Sequence, residues 1–304
     1  MPEFTPQFID THGHVNFNAF KDDGGAVIQR ALDNGVGIVM PGSQIDTSRR
    51  AVEYAERWDH PYIRAAIGLH PIHLEDIQVD ESEVEGQIKF HTRKEKFARA
   101  QYESLLKSSD KIVAIGEVGL DYWRLPEDPS KKEQYKKLQI DTLISQLDLA
   151  LDYKNPVIVH CRKAHDDLFS IIANHGITRA LTPPGVVHCY TGNKSQLKSF
   201  LELGWFIGYN GIIFKMNLED VIKATPLERI LLETDSPYLT PPLPAGALPL
   251  ALHSFSGGAA KEGRNEPRFV KHVAERVAEI KQISFDEVAR QTTENAKRVF
   301  RLGN

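Results

Sequence analysis

Cys161 and Cys189 are the only thiols in 304 residues, too few for the disulfide framework on which small secreted domains depend. Their scarcity points to a reducing, cytoplasmic setting. No stretch approaches the roughly 18 consecutive apolar residues of a membrane span, and the opening MPEFTPQFIDTHGH shows no basic segment followed by an apolar one, as a secretory leader would. A surplus of positive charge is missing too, with 37 Lys and Arg against 41 Asp and Glu, a formal net charge of −4. Without a bulk positive field, a polyanionic substrate has to be captured by local contacts or by metal ions. No glycine-rich dinucleotide loop follows the first apolar run, which argues against an open nucleotide-binding sheet.

What the chain does have is a regular succession of short apolar runs: Phe8–Ile9, Val36–Met40, Ile63–Ile67, Ile112–Ile115, Pro156–Val159, Gly185–Val187, Trp205–Gly208 and Ile230–Leu232. They are continuous rather than alternating, as strands buried on both faces require. Polar stretches with helical spacing lie between them, such as Lys131–Tyr153, where Tyr135, Leu138, Leu143, Leu147 and Leu151 recur near one face. Eight strand and helix units in this length predict an α/β fold, a (β/α)8 TIM barrel formed by one domain over residues 1–304, with chemistry at the rim where the strands end. Two segments exceed the minimal barrel. Leu74 to Ala98 is charged, and Leu239 to Pro267 is rich in Pro and Gly and follows the eighth strand, where a loop of that length reads as a lid. The basic run from Lys89 to Arg99 reads as the solvated face of a helix.

Titratable residues cluster at the predicted strand ends. His12 and His14, two apart in extended backbone, project to one side and can grip one metal. Glu117 ends an apolar run where a lone carboxylate would be costly to bury, and His160, His188 and Asp235 end three more. Each has a bland reading: His160 or His188 bonded within the core, Glu117 paired with Arg162, Asp235 capping the next turn. Together the six donors exceed the three or four that one zinc takes, so a carboxylate bridging two divalent ions is the economical arrangement. Strand alternation turns Cys161 and Cys189 away from whatever their neighbouring histidines hold.

The motifs DTHGH, IGLHP, AIGEVGLDY, VIVHCRKA, VVHCYTG, LLETDSPYL, RNEP and NAKRVF run in this order through nearly the whole chain. The sequence resembles the TatD family of metal-dependent deoxyribonucleases among the amidohydrolase-like TIM barrels. The resemblance implies one metal held by His12, His14, Glu117 and Asp235 and a second held by Glu117, His160 and His188, the ions being Mg, Zn or Mn. It implies a substrate contact at His70, and it places Asn265 and Glu266 in a family signature that either touches the substrate or braces the rim. Arg162 suits a phosphate, as do Tyr190, Thr191 and Gly192, whose backbone opens a helix. The expected activity is hydrolysis of DNA, with RNA as a further candidate, from a free 3′ end of a single-stranded or damaged substrate, with Asp235 as base and Glu117 and His70 assisting. The alternative is a barrel hydrolase of a small ester, lactone or amide, whose better-known dinuclear members bridge their metals with a modified lysine where this chain has Glu117. Lys261 and Arg264, in the long loop, are expected to meet a phosphate.

Overall fold

The computed structural model describes residues 4–76, 78–81, 88–243 and 263–303, with the side chains of 78–81 and 88–91 left aside. Its strands are β1 (Phe8–Asp10), β2 (Val36–Pro41), β3 (Ile63–Ile67), β4 (Gln78–Glu81), β5 (Ile88–His91), β6 (Ile112–Asp121), β7 (Val157–Arg162), β8 (Gly185–Val187), β9 (Phe206–Tyr209) and β10 (Ile230–Leu232). Eight of them pair in parallel in the order β1-β2-β3-β6-β7-β8-β9-β10, and each coincides with one of the predicted apolar runs. Helices α1 (Gly24–Asp33), α2 (Ile45–Trp58), α3 (Arg99–Lys107), α4 (Pro129–Tyr153), α5 (His165–His175), α6 (Ile177–Ala180), α7 (Lys194–Glu202), α8 (Glu219–Ala224), α9 (Val270–Lys281) and α10 (Phe285–Phe300) fall between and after the strands. This is the α/β barrel expected from the sequence.

The barrel closes through hydrogen bonds just beyond the ends of β1 and β10. Thr11 N donates to Leu232 O at 3.1 Å, Asp235 N to His12 O at 2.8 Å and His14 N to Ser236 O at 2.8 Å. Asp10, fully buried, ties the same seam by accepting from Thr234 N at 2.8 Å and Thr234 Oγ1 at 2.5 Å. Inside, each barrel strand contributes one apolar residue to a single cluster: Ile9, Val39, Ala66, Ala114, Ile158, Val186, Phe206 and Leu231. Val299, Phe300 and Leu302, at and beyond the end of α10, complete it. A larger cluster fills the layer between strands and helices, which explains why the strands read as continuous apolar runs.

In α4, capped by the Asp128 side chain at Lys131 N, Tyr135, Leu143 and Leu147 are buried as expected, whereas Leu138 is 37% exposed and lies off the packed face. Two buried glutamines of the same helix clamp backbone near the rim. Gln146 bonds both N–H and C=O of Leu69, and Gln139 does the same for Asp121.

The insertion after β3 carries the antiparallel hairpin of β4 and β5. The basic run from Lys89 to Arg99 is therefore not a helical face: it starts in β5 and reaches a helix only at Arg99, where α3 begins. In the second long segment, residues 244–262, with Lys261 and most of the expected lid, lie outside the described residues. Its two flanks are held together by Thr240 Oγ1 donating to Gly263 O at 2.9 Å.

Candidate metal centre at the strand ends

The backbone just described delivers six predicted residues to one rim. His12 and His14 follow β1 directly on the closing seam, and Asp235 faces them from beyond β10. Asp235 takes a φ of 56°, a conformation costly for a residue with a side chain, and its amide donates to His12 O. Glu117 sits at the register irregularity of β6 between Ile115 and Val118, the kind of break that re-aims a side chain. His160 lies within β7 and His188 one residue past β8.

Glu117 is the centre of the arrangement, and its two oxygens face different groups. Oε2 lies 3.3 Å from His12 Nε2 and 3.7 Å from His14 Nε2. Oε1 lies 3.4 Å from His70 Nε2, 3.2 Å from His160 Nδ1 and 3.8 Å from His188 Nε2. Asp235 straddles the cluster in the same way, with Oδ1 at 3.4 Å from His14 Nε2 and Oδ2 at 3.8 Å from His188 Nε2. Ligand atoms of His12, His14 and Asp235 lie within 4.8 Å of one another, as do those of His12, Glu117 and His188, and those of His70, Glu117 and His160.

Hydrogen-bond partners outside the cluster decide which nitrogen of each ring faces inward. His14 Nδ1 is 3.1 Å from Pro41 O, an acceptor only, so Nδ1 carries the hydrogen and Nε2 turns its lone pair to the cluster. His188 Nδ1 is 2.8 Å from Glu233 Oε2, and Asp121 Oδ2 stands 3.3 Å from His160 Nε2, so once each ring is neutral its Nε2 or Nδ1, respectively, faces the cluster. Such outer partners are what metal-ligating histidines require. His12 Nδ1 is buried with no hydrogen-bond partner, and its Nε2 meets His14 Nε2 at 3.0 Å. Four imidazoles and two carboxylates converging at these spacings fit divalent ions of the zinc, manganese or magnesium type.

His70 differs. Its Nδ1 accepts from Ile72 N at 3.1 Å, which puts the proton on Nε2 in the neutral ring, and burial lowers its pKa so that the neutral ring prevails. It therefore presents an N–H, not a lone pair.

Burial opposes charge throughout, and the carboxylates and imidazoles overcome it mutually. Glu117 is held well below its ordinary range against desolvation by His70 and His12, and Asp235 is lowered by His14 and His188. Despite burial, His160 is raised to about 10 by Asp121 and Glu117, and His188 to about 9 by Glu233 and Asp235. His12 goes the other way, to about 4, through desolvation and the neighbouring His188.

Other predicted residues fall elsewhere. Arg162, at the end of β7, stands with its guanidinium over the indole of Trp123 at 4.7 Å. Tyr190 is fully buried with its hydroxyl donating to Asn193 O, Gly192 packs on Tyr190 and His165, and Asn193 Oδ1 already takes the amides of Ser195 and Gln196 that open α7. The expected phosphate cradle at Tyr190, Thr191 and Gly192 is thus largely filled by the protein's own groups. Asn265 and Glu266 are fully buried and shape the rim from behind. Asn265 Nδ2 donates to Thr234 O and Tyr238 O on either side of Asp235, and Glu266 binds Arg30 through both oxygens, at 2.7 and 3.0 Å. Arg264 forms a two-pronged pair with Asp23 and stacks on Phe20, so it too is committed to the scaffold.

Cys161 is buried in the packing layer as expected. Cys189 departs from expectation: β8 ends at Val187, the chain turns at Cys189 with a φ of 46°, and its sulfur joins His188 and Asp235 within 4.8 Å. The sequence reading also passed over Asp121 and Glu233. Each is a carboxylate close in sequence to a predicted donor, four after Glu117 and two before Asp235, at the end of an apolar run where a lone carboxylate is costly to bury, and that is the signal that could have found them.

Residues 9–301 match the family described as TatD related DNase. The chain is 34% identical to the "Uncharacterized metal-dependent hydrolase YabD" of Bacillus subtilis (strain 168), over 97% of this chain and 99% of the other. It is 32% identical to the "3′-5′ ssDNA/RNA exonuclease TatD" of Yersinia pseudotuberculosis, over 93% and 95%. The crystal structure of YjjV, the TatD homologue of Escherichia coli K12, superimposes with a TM-score of 0.76 at 30% identity, covering 97% of this chain and 98% of that one.

Proposed function

The chain belongs to the TatD related DNase family, and from that premise we propose that it is a two-metal phosphodiesterase that removes nucleotides from the 3′ end of single-stranded DNA, with RNA as a second substrate. The observation that carries the reading is Glu117, whose Oε2 and Oε1 serve different histidine groups as a bridge between two cations would. His12, His14, Glu117 and Asp235 would hold one ion and Glu117, His160 and His188 the other. When bound, the ions neutralise phosphate oxygens and make a nucleophile available near neutral pH.

The chain's own groups do the rest. Asp235, ionised and placed on the rim, accepts the proton of the attacking water at Oδ1 or Oδ2 as the P–O bond to the 3′ oxygen of the preceding nucleotide breaks, and that proton passes on to this leaving oxygen. His70 donates its Nε2–H to an oxygen of the phosphate, a role that its neutral ring and its bond from Ile72 N support. Asp121 and Glu233 keep His160 and His188 oriented. Arg162 faces the phosphate of the next nucleotide. A buried rim of low dielectric strengthens each of these interactions.

The test is a panel run with Mg, Mn and Zn on 5′-labelled single-stranded DNA, RNA, a 3′-blocked strand, bis-nitrophenyl phosphate and lactones. Products shortening stepwise from the 3′ end, and resistance of the blocked strand, are expected. Turnover of lactones with none of the phosphodiesters would replace this reading with the small-molecule alternative.

A further inference from the structure

Trp123 is the most exposed large apolar side chain among the described residues, at 42% accessible, and the mechanism above makes no use of it. Its amide donates to Asp121 Oδ1 at 2.9 Å, the carboxylate whose other oxygen faces His160 at 3.3 Å, so the backbone that carries the indole is tied to a group bonded to the cluster. Arg162 lies over the ring at 4.7 Å and Lys163 at 4.0 Å from its centroid. Lys163 adopts a φ of 56°, an unfavourable conformation for a residue with a Cβ. Phe206 also carries two arginines, but that ring is fully buried and its cations are packing. The group at Trp123 opens on solvent.

An exposed aromatic ring next to cations is the combination that binds single-stranded nucleic acid: the π-face stacks on a base and the charges meet the backbone. Cation–π contacts at exposed sites are weak, so the exposed Lys163 can exchange the ring for a phosphate. Strand geometry adds direction. Arg162 follows His160 by two residues and projects from the same side of β7, which sets the ring and its cations in line with the cluster. In a chain of net charge −4, this is local capture of a polyanion.

We propose that Trp123, Lys163 and Arg162 form a nucleotide shelf, on which the indole stacks with an unpaired base while the two cations hold the neighbouring phosphates of a strand whose end reaches the metals. A paired base keeps its faces covered by its neighbours, so the shelf selects single strands. The inference rests on the phosphodiesterase reading.

Equilibrium binding of a fluorescein-labelled, phosphorothioate-linked oligothymidylate to the full metal-loaded chain tests the shelf without needing turnover. Trp123→Ala should weaken binding by about tenfold, the worth of one stacked base, and Trp123→Phe should restore most of it. Lys163→Ala should reduce the slope of log affinity against log salt by about 0.7. In turnover, Trp123→Ala should raise KM for the oligonucleotide with little change in kcat and leave bis-nitrophenyl phosphate hydrolysis unaltered. Unchanged binding by Trp123→Ala, an equal loss on the small diester, or duplex bound as tightly as single strand would each overturn the shelf. Binding that depends on Trp123 without hydrolysis of any phosphodiester would uphold it and remove the nuclease reading instead.

Discussion

Glu233 Oε2 lies 2.8 Å from Nδ1 of His188 and also accepts from Cys189 N at 3.1 Å, so a fully buried carboxylate outside the ligand set decides which nitrogen of His188 faces the cluster. Glu233→Gln keeps the shape but can offer an N–H to Nδ1, which favours the wrong tautomer. Metal affinity should fall by about 10- to 100-fold with circular dichroism unchanged. Titration with a competing chelator measures it, and an unaltered affinity would show that Glu233 has no say in the ring's orientation.

Glu117→Gln removes one charge and one ligand oxygen from the centre of the histidine groups. Folding should survive, while activity on bis-nitrophenyl phosphate should drop by at least about 100-fold, equivalent to about 2.7 kcal/mol of transition-state stabilisation. Metal analysis should show fewer than two ions retained. A variant that keeps both ions and its activity would contradict the bridging role.

Metal loading should release protons. At pH 7.5 His160 and His188 are imidazolium, with pKa values of about 10 and about 9, and an imidazole must be neutral to coordinate. Glu117 and Asp235 are already ionised, and His12, lowered to about 4, is already neutral. Filling both sites should therefore release about two protons, and affinity should rise with pH until it passes those two values. Calorimetry in buffers of different ionisation enthalpy reads the number directly. A value near zero would mean that these histidines do not ligate.

Glu266→Ala should separate a brace from a substrate contact. The carboxylate is fully buried and lies 2.7 Å from Arg30, whose own side chain is 29% exposed, so removing it leaves a partly solvated guanidinium and costs less than the ~3–5 kcal/mol of a fully buried pair. The melting temperature should fall markedly while KM for an oligonucleotide, measured well below it, stays as in the wild type. A changed KM with unchanged stability would return Glu266 to the substrate.

The barrel was legible because parallel strands covered on both faces must be written as continuous apolar runs, and all eight were. The convergence of six donors on one rim was legible because charged and imidazole groups at the ends of such runs have few other reasons to exist. What stayed hidden depends on distance along the chain. Nothing local to Glu266 announces Arg30, and nothing near Arg264 announces Asp23, so the sequence alone did not separate a buried brace from a substrate contact. Cys189 was misplaced for a different reason: alternation holds only while the chain is extended, and β8 stops one residue before His188.

The seam between β1 and β10 joins residues more than two hundred positions apart, as in Thr11 Oγ1 to Leu232 O with a separation of 221. His12 and Asp235 meet only there. During synthesis, a nascent chain lacks the complete donor set until its eighth barrel strand has emerged and docked against the first, so hydrolytic capacity requires a contact of long range. A divalent ion held across that junction would act afterwards as a clasp on the ring: at a hundredfold excess over the dissociation constant, it would oppose reopening by about 2.7 kcal/mol. Chelation should then expose the first and last strands to protease before any other part of the barrel.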